Sequence, residues 1–272
     1  MITREPVYTD EPDSMLVSMW RQIILGLGDI GRAGSLTLQA LVGIPALLMS
    51  RRGWRELARQ LYVTGIKSLA VVTVVGMFTG MILGLQVGLE LRRFNQEIYI
   101  GSAVMISLLR EMGPFMSGLI LAACVGSSMA AQIGTMTVNE EIAALEIMSI
   151  SPVRFLMTPR MAAMLMMTPI LSFYTCVLGV IGGGIVGMTQ LNVPWDQYIT
   201  MAIDIARLRD LYVGLLKALV FGIVITGVSC YEGFTTKMGA VGVGKATRRS
   251  VITSFLLILI LGYIITRLFY DL

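Results

Sequence analysis

Arg110 and Glu111 stand side by side within an apolar run, SLLREMGPF, and Lys217 stands within another. An ionisable side chain at membrane depth costs several kcal/mol unless it is paired or wetted, so each marks a functional position by default. Gly113-Pro114 follows at once; it weakens the helix and can leave a backbone carbonyl without its usual donor. Arg110 and Lys217 each lie about six or seven residues from the outer end of their runs. At about 1.5 Å per residue, both are roughly 10 Å deep on the same side. The shared depth suggests one polar pocket opening outward. Snorkelling to the interface, or pairing that only holds helices together, remains open.

The rest of the chemical inventory excludes more than it offers. Histidine is absent, which removes the commonest neutral-pH acid/base and the commonest transition-metal ligand. Cys124, Cys176 and Cys230 are widely spaced, show no CxxC pattern and lie in or beside apolar runs, so they read as free thiols. No metal, cofactor or catalytic set is expected, and no basic tail points to nucleic acid. GAVGVGKAT (239–247) comes close to a phosphate-binding loop, but Ala246 follows Lys245 where Ser or Thr is needed. It also falls between two membrane segments, without the strand such a loop requires, so nucleotide hydrolysis is assigned to a different polypeptide.

The elements that position these residues are set by composition. Of 272 residues, 56% are hydrophobic and 14% charged, with net charge +4 and mean hydropathy +0.78. A soluble domain carries about 25% charged residues, so a polytopic all-α membrane protein is expected. Five spans are predicted at about 68–89, 103–125, 161–187, 211–231 and 251–270. Residues 1–13 read as disordered, with no removable signal peptide. Residues 14–67 read as an interfacial, amphipathic region, although 33–49 reaches the lower length limit for crossing. Between the fourth and fifth spans a glycine-rich loop is expected.

Two further patterns stand out. TMTVNEEIAALEIMSISP predicts a polar helix over about 137–150, with Thr137 and Glu140 as a capping box and Ile142, Leu145 and Met148 at helical spacing. It is too short and too acidic to cross a bilayer; it suits docking into a soluble partner or serves as a solvated connector. Gly76, Gly80, Gly84 and Gly88 fall every fourth residue on one helical face, and Gly179, Gly183 and Gly187 repeat the pattern. Such faces permit close backbone approach, either as tight packing or as a sliding seam. Lys and Arg concentrate in the segments before the first span (Arg51, Arg52, Arg55, Arg59, Lys67) and before the last (Lys237, Lys245, Arg248, Arg249). By the positive-inside rule the N-terminus is then cytoplasmic and, after five spans, the C-terminus periplasmic.

Three blocks, FTGMILGLQ (78–86), REMGPF through GTMTVNEEIAALEIMSISPVRFLMTPRMAA (110–163) and DLYVGLLKALVFG through SCYEGFTTKMGAVGVGKAT (210–247), resemble the MlaE (YrbE) permeases of lipid-transporting ABC systems. The resemblance implies a homodimeric permease in a bacterial inner membrane. It would have ABC ATPase subunits on the cytoplasmic face, an MCE-domain (MlaD-like) protein on the periplasmic face and phospholipid as cargo. It also implies that Glu140, Glu141, Leu145 and Glu146 face the ATPase, and that Arg110, Glu111 and Lys217 match positions of an outward-open lipid cavity at the dimer interface. The chain departs from the family pattern at Ser127, Gln132, Ala143 and near Gly262, where charged residues are usual. An ion-coupled transporter or channel without an ATPase is the alternative; a lipid enzyme lacks an acid/base set, and a scaffold leaves Arg110 and Glu111 unexplained.

Overall fold

The computed structural model describes residues 15–237 and 239–270, so the expectation of disorder over 1–13 lies outside the described residues. Among the described residues the chain is all-α, without a strand. Five stretches are long and apolar enough to cross a membrane: Gly53–Arg93, Glu97–Val138, Val153–Gln190, Leu208–Phe234 and Gly239–Tyr270. A chain in hydrocarbon must satisfy its own N–H and C=O groups, and helices do so within one segment.

Helix α1 (Met15–Leu48) is 34 residues long and runs on through Pro45. After a break at Ser50, the Trp54 indole N–H donates to the Leu48 carbonyl at 2.8 Å. Helix α2 (Arg51–Leu61) then continues through a π-helical turn, Tyr62–Ile66, into α3 (Lys67–Arg93). The basic amphipathic segment is therefore the N-terminal extension of the first span.

The second span is built from α4 (Ile100–Ser107), α5 (Gly113–Leu121) and α6 (Ser127–Val138), joined by π-helical turns at Leu108–Met112 and Ala122–Gly126. Helix α7 (Glu141–Ile147) follows between the second and third spans. A further π-helical turn, Val153–Met157, leads into α8 (Thr158–Gln190). Helix α9 (Trp195–Ile205) lies between the third and fourth spans, before α10 (Leu208–Phe234) and α11 (Gly239–Tyr270).

The helices that carry the five predicted spans run past those limits, because the backbone ladder continues where apolar periodicity fades. Two sequence expectations need correction. The capping box does not form. The Thr137 hydroxyl lies 2.9 Å from the Ile133 carbonyl and 3.0 Å from the Gly233 carbonyl, tying α6 to α10. Helix α6 stops at Val138, Glu140 adopts φ +61°, and α7 holds only seven residues instead of the expected fourteen or so. Lastly, the expected glycine-rich loop is helical: Gly239 (φ +65°) opens α11, and GAVGVGKAT forms its first turns. A helical GAVGVGKAT cannot cradle phosphate with successive loop N–H groups.

The core is assembled on small residues. Gly76, Gly80, Gly84 and Gly88 are all buried in α3. A methyl group at Gly80 would overlap the Gly179 carbonyl of α8, and one at Gly84 would sit 2.9 Å from the Gly183 Cα. The two glycine-bearing faces thus meet backbone to backbone, the close approach that drives helix association where no hydrophobic effect operates. Towards one end, Ile100, Val104, Leu108, Val180 and Tyr198 form one cluster; towards the other, Ala40, Ile133, Met157, Met161 and Cys230 form another. Ala40 brings α1 into that second cluster.

Candidate functional site

The π-helical turn at Leu108–Met112 carries both Arg110 and Glu111. Its cause lies four residues on. Pro114 has no N–H, so the Arg110 carbonyl loses its helical donor, and the wider turn lets a side chain reach it. That side chain is Lys217, whose Nζ donates to the Arg110 carbonyl at 2.8 Å.

Lys217 also donates to Glu111 Oε1 at 2.7 Å and to Thr266 Oγ1 at 2.7 Å. An ammonium group has three N–H donors, and all three are used. The Lys217 side chain is 1% exposed, whereas that of Glu111 is 42% exposed. Thr266 Oγ1 lies 2.6 Å from Glu111 Oε1 and 2.8 Å from the Gly262 carbonyl, so α11 closes the arrangement. Lys217 lines the cavity, with its three protons donated within the protein.

Arg110 is turned the other way. Its Nε and Nη2 donate to the two oxygens of Asp210 at 2.8 and 3.2 Å, a two-pronged ion pair with a carboxylate whose side chain is 3% exposed. The Tyr270 hydroxyl donates to Asp210 Oδ1 at 2.6 Å, and the Arg110 guanidinium carbon lies 4.6 Å from the centre of the Tyr270 ring. Arg209 donates to the Phe269 carbonyl from the same corner. With two of five donors on Asp210 and its side chain 34% exposed, Arg110 retains N–H groups for a further acceptor.

The two ion pairs therefore share a backbone, and together they fasten the N-terminal end of α10 and the C-terminal end of α11 to the bend between α4 and α5. On the Glu111 side lies a cavity of about 330 Å³. Its walls are apolar, from Met112, Phe115, Phe221, Ile258 and Tyr263, with Glu111, Lys217 and Thr266 as its polar patch.

Asp210, Thr266 and Tyr270 were not picked out from the sequence. Asp210 and Lys217 are seven residues apart, two turns of one helix, and Gly262, Thr266 and Tyr270 fall every fourth residue. Those spacings are the signal that could have found them.

At the opposite end of the bundle Glu140, Glu141 and Glu146 are exposed and Leu145 is half-buried, while Ile142 packs against the cluster of Ala40, Ile133 and Met157. Ile147 and Met148 stand 85% and 67% exposed at the end of α7. Nearby, Arg160 is buried. It donates to the Leu156 carbonyl at 2.7 Å and to Gln132 Oε1 at 3.2 Å, and its Nε has no partner among the described residues. Among the described residues there is also no cluster of His, Cys, Asp or Glu able to hold a metal ion.

Five helices long and apolar enough to cross a membrane, joined by two ion pairs, define a multi-pass helical membrane protein. The family model for the permease MlaE matches residues 57–268. A probable ABC transporter permease protein of Rickettsia typhi is 39% identical over 238 residues, covering 88% of this chain and 92% of its own. The intermembrane phospholipid transport system permease protein MlaE of Haemophilus influenzae is 31% identical over 259 residues, 95% of this chain and 98% of its own. A probable ABC transporter permease protein of Synechocystis is 32% identical over 225 residues, covering 83% and 86%. The chain belongs to the MlaE family of ABC transporter permeases.

Proposed function

We propose that this chain is the membrane subunit of an ATP-driven transporter that moves phospholipid between a bacterial inner membrane and a periplasmic MCE-domain protein of the MlaD type, and so contributes to outer-membrane lipid asymmetry. The observation that carries this is the cavity beside α11: a half-exposed Glu111 bound to a buried Lys217 among apolar walls, in a chain of the MlaE family. Acyl chains suit the walls, and Arg110, on the other side of the shared backbone, keeps N–H groups that suit a phosphate oxygen beside the cavity.

A half-exposed carboxylate within a span calls for cover from protein or water. A second copy of the chain across the α11 face supplies it, giving a homodimer with the cavity between its halves. The N-terminus is then cytoplasmic and the C-terminus periplasmic. On the cytoplasmic face Glu140, Glu141, Leu145 and Glu146, with the exposed Ile147 and Met148, form the surface on which separate ATPase subunits dock. ATP-driven closure of those subunits moves α7, and the glycine faces of α3 and α8 let the spans shift.

Affinity purification from native membranes, with mass spectrometry of proteins and lipids, tests subunits and cargo together. The double variant Arg110→Ala/Lys217→Ala should carry less phospholipid; unchanged lipid content refutes the cavity. Glu140→Lys/Glu141→Lys should release the ATPase, and a complex that survives refutes α7 as the docking element. Full-speed transport without an ATPase refutes the whole scheme.

A further inference from the structure

A second apolar groove, of about 370 Å³, lies on a different face of the bundle. On α8 it runs from Phe173 past Cys176, Val177 and Val180 to Ile181, a length of about 12 Å at 1.5 Å per residue. Met105 and Leu109 form one wall and Leu208 and Leu211 of α10 another. Leu211 and Lys217 are six residues apart, so they point from α10 in directions about 120° apart. This groove is therefore separate from the one beside Glu111.

Its outer mouth is closed by the link between α9 and α10, which contributes Ala206 and Arg207. Arg207 is exposed, and no salt bridge is found for it among the described residues. The neighbouring Asp210 is already held by Arg110 and Tyr270. Close by in the chain, Leu208 is 84% exposed, Tyr212 69% and Ile203 63%, interspersed with the exposed Asp204 and Arg209. An exposed guanidinium among apolar, aromatic and charged residues at the end of a span sits where headgroups lie.

We propose that this groove is a lateral phospholipid site, holding one acyl chain of an outer-leaflet lipid along α8 with its phosphate on Arg207. The groove's lining is apolar apart from Arg207, which stands at the headgroup end. Guanidinium and phosphate pair through short, charge-assisted hydrogen bonds, which suits Arg207 to that headgroup. The site rests on the membrane embedding of the chain and on this chemistry, not on the transport scheme, and its test reads occupancy, not transport.

The test uses the full chain in bilayers of phosphatidylethanolamine containing a trace of phosphatidylglycerol with a photoreactive diazirine in one acyl chain. After illumination, adducts are mapped by mass spectrometry. They should concentrate on Met105 and Phe173–Ile181 over the exposed Phe78 and Ile82 of α3. Arg207→Gln should lower the groove adducts about tenfold, as expected for losing a charge-assisted pair, and leave those on α3 unchanged. Val177→Trp, which fills the groove with Arg207 intact, should abolish them. A diazirine diacylglycerol, which lacks the phosphate, should show no dependence on Arg207. Equal labelling of groove and α3, or groove labelling indifferent to Arg207, overturns the proposal. So does protection of the groove by a co-purified protein segment.

Discussion

Lys217 and Glu111 form one ion pair but stand in different surroundings, so removing one should not cost the same as removing the other. Glu111→Gln leaves an ammonium that is 1% exposed without its counter-charge. Breaking a buried pair in this way costs about 3–5 kcal/mol. Lys217→Met leaves instead a carboxylate that is 42% exposed and can be hydrated, plus the Arg110 carbonyl that Pro114 already deprived of a helical donor. An orphaned carbonyl costs about 1–3 kcal/mol. Glu111→Gln should therefore be the worse substitution by about 2 kcal/mol, or roughly 4–8 °C in melting temperature. The double variant Glu111→Gln/Lys217→Met should melt near the level of Lys217→Met alone, because the unpaired charge has gone. The chain supplies its own reporter for the assay. Cys176 and Cys230 are buried and Cys124 is exposed, so in a Cys124→Ser background a thiol-reactive fluorogenic dye reads unfolding directly. If Glu111→Gln melts no lower than Lys217→Met, Lys217 is not a buried charge dependent on Glu111, and the account of this pair is refuted.

Two other outcomes follow from the packing. Gly80→Leu should abolish the folded monodisperse protein in detergent, since the first side-chain carbon already collides with the Gly179 carbonyl; Gly244→Ala, whose Cβ meets nothing within 4 Å, should leave the size-exclusion profile unchanged and raise stability by about 0.5–1 kcal/mol. Tyr270→Phe removes one hydrogen bond to Asp210 and should cost about 1 kcal/mol. Asp210→Asn strips Arg110 of its counter-charge and should cost more than Tyr270→Phe, as read by the same thiol-dye melting curves.

The sequence alone determined the number and order of the spans, because crossing hydrocarbon demands long apolar runs and little else. It also singled out Arg110, Glu111 and Lys217, because an ionisable residue in such a run is conspicuous whatever it contacts, and it pointed to the carbonyl that Pro114 frees. Which group answers each charge was decided only in three dimensions. Asp210 is a hundred residues from Arg110 and Thr266 a hundred and fifty-five from Glu111, and no local periodicity encodes a meeting between helices that far apart. The same holds for Thr137, whose place at the head of a helix was plausible by spacing until the Gly233 carbonyl of α10 lay within its reach. Local propensity also misjudged GAVGVGKAT: its glycines weaken a helix in water, yet there they begin α11, where a backbone near lipid gains more from closing its own hydrogen bonds than it loses in chain entropy.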